Sequence, residues 1–338
     1  MADLSKLPKV DLHIHLEGSI TPAMVRKLAE KNGIDIPEGL FDAGGENFHW
    51  PDDGTAAGAL KGFVEAYDKA TSVMRGAEDF EAVTYDYLVR SAAEGCIYAE
   101  PIISAEHGAM AGLTYPDMMA AITAGYERAK AETGIEARFI ATCVRHYGAA
   151  AAIHVAELTR DNPHPLVTAF GMAGDENAGT VADFKPAYDI AALPYRNAHA
   201  GEAAGPDSIR AARELLGVRR FGHMVRAIED AALMQEQLEI NAVPEVCVSS
   251  NLCLKVYPDY ASHPLRKFFD AGLKVTLGSD DPTFFGTSIG REYQIAHDHF
   301  GFTEAELLQI SRNAIEEAFC DEETRRSLLL KIENFSQV

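Results

Sequence analysis

Two histidines, His13 and His15, close an alternating segment, KVDLHIH, at Lys9–His15. Val10, Leu12 and Ile14 alternate there with Asp11, His13 and His15, which is strand periodicity and puts both imidazoles on one face. Two converging imidazoles suit a divalent transition metal, with a hydrogen-bonded histidine pair as the plainer alternative. Three other segments carry groups of the same kind: His199 in NAHAGE, His223 in FGHMV, and Asp280 with Asp281 in TLGSDDP. Three histidines and an aspartate supply N and O ligands suited to zinc. Taken alone, Asp280 or Asp281 reads as a helix N-cap. Glu202 lies three residues beyond His199, where a carboxyl can serve as general acid or base. Its alternative role is a helix N-terminal carboxylate stabilised by the dipole.

These groups need a scaffold that gathers them. Eight strand candidates run along the chain: Lys9–His15, Cys96–Ile103, Glu136–Val144, Leu166–Met172, Tyr195–His199, Arg219–His223, Glu245–Val248 and Lys274–Leu277. Helical patterns follow nearly every one, at Thr21–Lys31, Ala56–Met74, Ala77–Ala93, Tyr115–Glu132, Ala149–Thr159, Asp207–Leu216, Ile228–Leu238 and Pro264–Ala271. The count predicts an α/β fold, a (β/α)8 TIM barrel, with additional helices in the tail Ser288–Val338. A doubly wound open sheet is the competitor, but no GxGxxG follows the first strand. The Gly-rich, acidic stretch Pro37–Gly54 has no period and reads as a lid-like loop after strand one. No linker divides the chain, so residues 1–338 are expected to form one domain. In a barrel, His13, His15, His199, His223, Asp280 and Asp281 fall at C-terminal strand ends and share one mouth.

Composition bounds the partners. The 338 residues carry a net charge of −21, with 47% hydrophobic and 24% charged residues, an ordinary globular make-up. An acidic surface repels phosphate backbones, which argues against nucleic acid as a partner but not against small neutral ligands such as a base or nucleoside. No apolar run reaches 18 residues, and the first residues lack the pattern of a secretory signal, so no membrane partner is expected. Cys96, Cys143, Cys247, Cys253 and Cys320 are odd in number and form no CxxC pair, which points to a reducing cytoplasm. The oligomeric state, monomer or homo-oligomer, is open from sequence.

Five segments together resemble the adenosine deaminase family of the amidohydrolase superfamily: VDLHIHLEGSI at Val10–Ile20, AGDE at Ala173–Glu176, HAGE at His199–Glu202, FGHMV at Phe221–Val225 and LGSDDP at Leu277–Pro282. They stand in family order from about Leu7 to the C-terminus. The resemblance implies a zinc-dependent aminohydrolase of purine metabolism that replaces the 6-amino group of a 6-aminopurine by oxygen. It implies one Zn2+ per chain on His13, His15, His199 and Asp280. It gives Glu202 the task of protonating ring N1, His223 that of stabilising developing charge or accepting a proton, and Asp281 that of orienting the attacking hydroxide. Substrate contacts would come from His15, Glu17, Gly174 and Asp281. Related barrels with two metals carry a modified lysine at strand four; GMAGDE has none, which favours one metal.

Glu17 departs from the family pattern. Many adenosine deaminases have aspartate there, in HLDG, against the ribose, whereas HLEG occurs among adenine deaminases of the same family. The segments GSDDPTFFGTS and HAGEAAGP look closer to adenosine deaminases. The resulting expectation is deamination of adenosine and 2'-deoxyadenosine to inosines. Adenine to hypoxanthine is the alternative, followed by a larger nucleoside such as aminodeoxyfutalosine; an inactive purine-binding barrel is the non-enzymatic reading. The loops 38–54, with His49 and Trp50, and 103–114, with Glu106 and His107, would shape the ribose side or simply pack on the surface. Phe63 and Tyr67, four apart on a helix, are expected in the core.

Overall fold

The computed structural model describes residues 4–335. Nine strands are present: β1 (Lys9–His15), β2 (Cys96–Ser104), β3 (Glu136–Ala137), β4 (Phe139–Val144), β5 (Val167–Ala173), β6 (Tyr195–Ala200), β7 (Arg220–His223), β8 (Val243–Val246) and β9 (Thr276–Leu277). All pairings are parallel, in the order β1-β2-β4-β5-β6-β7-β8-β9, while β3 pairs only with β2. The ring closes just beyond β9: His15 N–H donates to Asp280 O and Asp280 N–H to His13 O, both at 2.8 Å. Eight strands in sequence order with helices between them make a (β/α)8 barrel.

A register irregularity between Asp11 and Ile14 interrupts the alternation in β1. Val10 and Leu12 pack with Tyr98 of β2 and with Ala314 and Ile315 of the helix Glu304–Glu317. Asp11 accepts from Ser279 Oγ at 2.5 Å and from the Tyr87 hydroxyl of the helix Ala77–Ala93 at 3.1 Å, while His13 meets Glu245 in the barrel interior; both residues are fully buried. The barrel interior is unusually polar. Arg220 of β7 forms ion pairs with Glu100 of β2 and Glu245 of β8, and Asn197 of β6 donates to Glu245 at 2.9 Å. All four are buried.

Several boundaries differ from the sequence expectations. The third strand is split around Arg138 into β3 and β4. The seventh ends at Val246 instead of Val248, because Val248–Cys253 turns into a short helix. The eighth is only Thr276–Leu277. Two helices were not anticipated, Ala105–Met110 within the expected loop and Val181–Ala191, which contains Pro186. The stretch after the helix Pro22–Asn32 is the expected long loop, held by a Phe41–Phe48 bridge. Among the described residues no helix is long and apolar enough to cross a membrane.

Candidate active site

The C-terminal strand ends bring the expected groups together. Ligand-type atoms of His13, His15, His199 and Asp280 all lie within 4.8 Å of one another. His15 Nε2 and His199 Nε2 stand 3.1 Å apart, and Asp280 Oδ1 lies 3.4 Å from His15 Nε2 and 3.6 Å from His13 Nε2. The partners of the other ring nitrogens fix the tautomers. His13 Nδ1–H donates to Glu245 Oε2 at 2.7 Å, and His199 Nδ1–H donates to Met172 O at 3.1 Å. Each imidazole therefore turns an Nε2 lone pair toward the cluster, the arrangement by which carboxylates and carbonyls orient metal-ligating histidines. His13 Nε2 is buried without a hydrogen-bond partner. Burial works against a charged imidazole, yet the carboxylates of Asp280, 3.6 Å from Nε2, and of Glu245 push His13 up to about 10. The cluster thus seeks a positive charge, and its N and O donors fit zinc. A second grouping, His223, Cys247 and Asp280, fits less well, because burial holds the Cys247 thiol protonated.

The surrounding backbone is shaped for this convergence. His223 and Asp280 are non-glycine residues at φ +64° and +59°, left-handed conformations that recur at functional sites. Gly18 is required for Asp281: a Cβ at Gly18 would lie 1.7 Å from Asp281 Oδ1. That oxygen is buried without a hydrogen-bond partner, and burial plus the charge of Asp280 raise the Asp281 pKa well above the usual carboxylate range.

Glu202 faces the same centre. Its Oε2 is 3.4 Å from His223 Nε2, and its Oε1 accepts from Asn251 Nδ2 at 3.4 Å. Burial, then the charges of Asp280 and Glu176, raise its pKa well above the ordinary value, a shift toward the acid form. The Asn251 amide nitrogen also lies 3.3 Å from His223 Nδ1, which leaves the His223 proton on Nε2, toward Glu202 and Asp280.

A cavity of about 720 Å³, open to solvent, adjoins the cluster. His15, Glu17, Gly174, His199, Glu202, His223, Asp280 and Asp281 line it. His13 lies behind it, among the buried residues. Gly174 has φ +88°, and a Cβ there would come within 2.8 Å of His146 Nδ1. Glu17 is buried; its Oε1 accepts from Ser104 N at 3.2 Å and lies 3.7 Å from His107 Nδ1. Phe63 and Tyr67 line the cavity instead of belonging to the core alone. His107, from the 103–114 segment, lines it too, whereas Trp50 packs behind it against Phe63, Phe284 and Phe285. Sequence reasoning missed Asn251, Glu245 and Ser104 and gave Glu176 no chemistry. No local pattern marks them, since each acquires its place from a partner far away in the chain.

Parallel strands in a closed ring with imidazoles and carboxylates gathered at their C-terminal ends define an amidohydrolase-type barrel. The family model for adenosine deaminase matches residues 8–335, and the chain belongs to that family. It is an adenosine deaminase-type aminohydrolase, acting on the C–N bond of a cyclic amidine. An adenine deaminase from Agrobacterium fabrum is 45% identical over 334 residues, 97% of this chain and 98% of that protein. One from Rhizobium etli is 44% identical, covering 97% and 99%. The crystal structure of an adenine deaminase from Arthrobacter aurescens superposes with a TM-score of 0.88 at 25% identity, covering 98% of this chain and 99% of that one. An amidohydrolase from Burkholderia ambifaria with bound Zn gives 0.85 at 26% identity, covering 99% and 93%.

Proposed function

We propose that the protein hydrolyses adenine to hypoxanthine and ammonia, using one zinc ion held by His13, His15, His199 and Asp280. The chemistry is carried by one observation: two imidazole Nε2 atoms 3.1 Å apart share a cluster with Asp280, beside a carboxyl shifted toward its acid form. The substrate reading reverses the sequence expectation of adenosine. Support comes from adenine deaminases at 45% and 44% identity over nearly the whole chain, and from Glu17 at the position where HLEG departs from HLDG. The family segment around GSDDP, weighted toward adenosine above, is a weaker guide than Glu17, which lies in the cavity itself.

Bound zinc would lower the pKa of water toward neutrality and so supply a nucleophile. Addition of oxygen at purine C6 breaks the ring's aromaticity, so N1 must gain a proton as the new C–O bond forms. Glu202 donates that proton, which is why an acid form stabilised by burial matters. Asp281 aims the attacking oxygen, and His223 Nε2–H stabilises the charge that develops on it. The proton of the added oxygen then passes to the amino group, the C6–N bond breaks to release ammonia, and the ring regains conjugation as the keto purine with the proton kept on N1. Gly174 offers its N–H to N3, at a position where any side chain would strike His146. His15 and Glu17 complete the wall on which the base rests. The same reading takes residues 1–338 as one domain and places the enzyme in the cytoplasm.

Two treatments test this. Stripping metal with a chelator is expected to abolish ammonia release from adenine, and zinc to restore it. Glu202→Gln is expected to lower kcat/KM by about 10²–10⁴-fold with zinc content unchanged. Wild-type turnover by the Gln variant would exclude Glu202 as the proton donor.

A further inference from the structure

Glu176 closes the AGDE segment, and the chemistry above does not use it. The residue is 4% exposed, and its carboxylate is saturated with donors. Oε1 accepts from Gly201 N at 2.6 Å and Ser208 Oγ at 2.6 Å; Oε2 accepts from Glu202 N at 3.0 Å and Ala204 N at 2.7 Å. Three of these donors belong to the turn that joins β6 to the helix Pro206–Leu216, and the fourth, Ser208, lies in the first turn of that helix. One of them is the peptide N–H of Glu202 itself.

The side chain of Glu202 is held far more loosely. Its two polar contacts, to Asn251 and His223, are both 3.4 Å long, at the edge of hydrogen-bonding distance. The direction of its carboxyl is therefore set by the main chain beneath it. That main chain has an unusual path: Gly201 has φ +73°, and a Cβ there would come within 2.4 Å of Ile209. A turn with this conformation and three amides pointing one way, joined by Ser208 Oγ, needs an acceptor of matching shape, and charge-assisted bonds to a carboxylate are the strong kind.

We propose that Glu176 is a positioning residue, whose carboxylate clamps the 201–204 turn and so aims Glu202 at the purine ring. The proposal rests on the proton-donor role given to Glu202 above. Glutamine at position 176 keeps the shape but turns an NH2 toward N–H donors, so half of the clamp is lost. Aspartate keeps the charge and both acceptors with a shorter reach. The contacts assigned to the base, at Glu17 and Gly174, lie on other elements. Loosening the turn is thus a defect in the reaction step and not in binding.

The test is a double-mutant cycle on zinc-loaded protein with adenine, comparing wild type, Glu176→Gln, Glu202→Gln and the double variant. Glu176→Gln is expected to lower kcat about tenfold or more with KM changed by less than about threefold. In the Glu202→Gln background the same change is expected to alter kcat by less than about twofold, because the group it aims is already gone. Glu176→Asp is expected to regain part of the loss. A loss of equal size in both backgrounds, or one that tracks zinc content, would overturn the proposal. Amide hydrogen exchange supplies a readout free of substrate: Gly201, Glu202 and Ala204 should exchange faster in Glu176→Gln while β1 keeps its protection. Unchanged exchange at the three amides contradicts the clamp. Should Glu176→Gln not fold, Glu176→Asp carries both measurements. Wild type inactive on adenine would refute the proposed function, and exchange would still decide the clamp.

Discussion

His263 shows how a residue outside the motifs supports the site. Its Nδ1 accepts from Leu265 N at 3.3 Å, the first N–H of the helix Leu265–Ala271. Its Nε2–H must then donate to Asn251 Oδ1 at 3.1 Å. That bond turns the Asn251 NH2 toward Glu202 and His223. Burial, and secondarily His223, lower its pKa from 6.5 to about 3. Between those values only the unfolded chain binds this proton, so its contribution to stability is full above pH 6.5 and is lost as pH falls toward 3. Replacing it by Gln in His263→Gln should flatten the acid side of the stability curve. From pH 7 to pH 5 the wild type should lose about 2 kcal/mol more than the variant in denaturant titrations. Parallel losses would show that His263 is not held neutral. The clustering of His13, His15, His199 and Asp280 was legible at this scale because each sits in a short motif at a strand end. Asn251, Glu245 and Glu176 were not, because their roles exist only in contacts with residues at least 12 positions away.

At the scale of the elements, the strands must approach closely for the imidazoles to converge. Gly222 in β7 lies against two of the expected metal ligands. A Cβ there would be 2.6 Å from His13 Cε1 and 3.2 Å from His199 Cγ. Gly222→Ala is therefore expected to displace His13 and lower the zinc content of the purified protein to less than about half that of wild type, with the barrel still folded. Metal analysis and circular dichroism read the two effects, and full zinc occupancy would contradict the packing argument. The elements themselves were legible where periodicity was clean, as in β1 and the helix Ala77–Ala93, whose ends match the sequence reading. They were not where local chemistry misleads. Pro186 reads as a helix breaker, yet it sits inside Val181–Ala191. The apolar run around Val243–Val248 has no period, so nothing in it shows that the strand stops at Val246 and a helix carrying Asn251 begins.

Across the whole molecule, the buried network ties the C-terminal tail to the active site. Glu100 accepts from Phe319 N–H and pairs with Arg220, whose guanidinium lies 3.4 Å above the Phe319 ring. Arg220 pairs in turn with Glu245, which holds His13. Removing the guanidinium leaves two buried carboxylates without the cation they share, so Arg220→Met is expected to cost about 3–5 kcal/mol in equilibrium unfolding. Neutralising all three as Glu100→Gln, Arg220→Met and Glu245→Gln should recover part of that loss; a single-variant cost below about 1 kcal/mol would show the network is not stabilised by its charges. A barrel was legible from eight alternating units, but its polar interior was not, since each charged residue reads singly as a surface group. The same holds for the cavity wall, where Glu17, Ser104 and His107 meet from separate elements. The most direct measurement is kcat/KM of the zinc-loaded protein for adenine and for adenosine, followed by the ultraviolet change as the amino group is replaced. Adenine is expected to be preferred by about 100-fold or more. Equal or faster turnover of adenosine, or turnover of neither, would contradict the account.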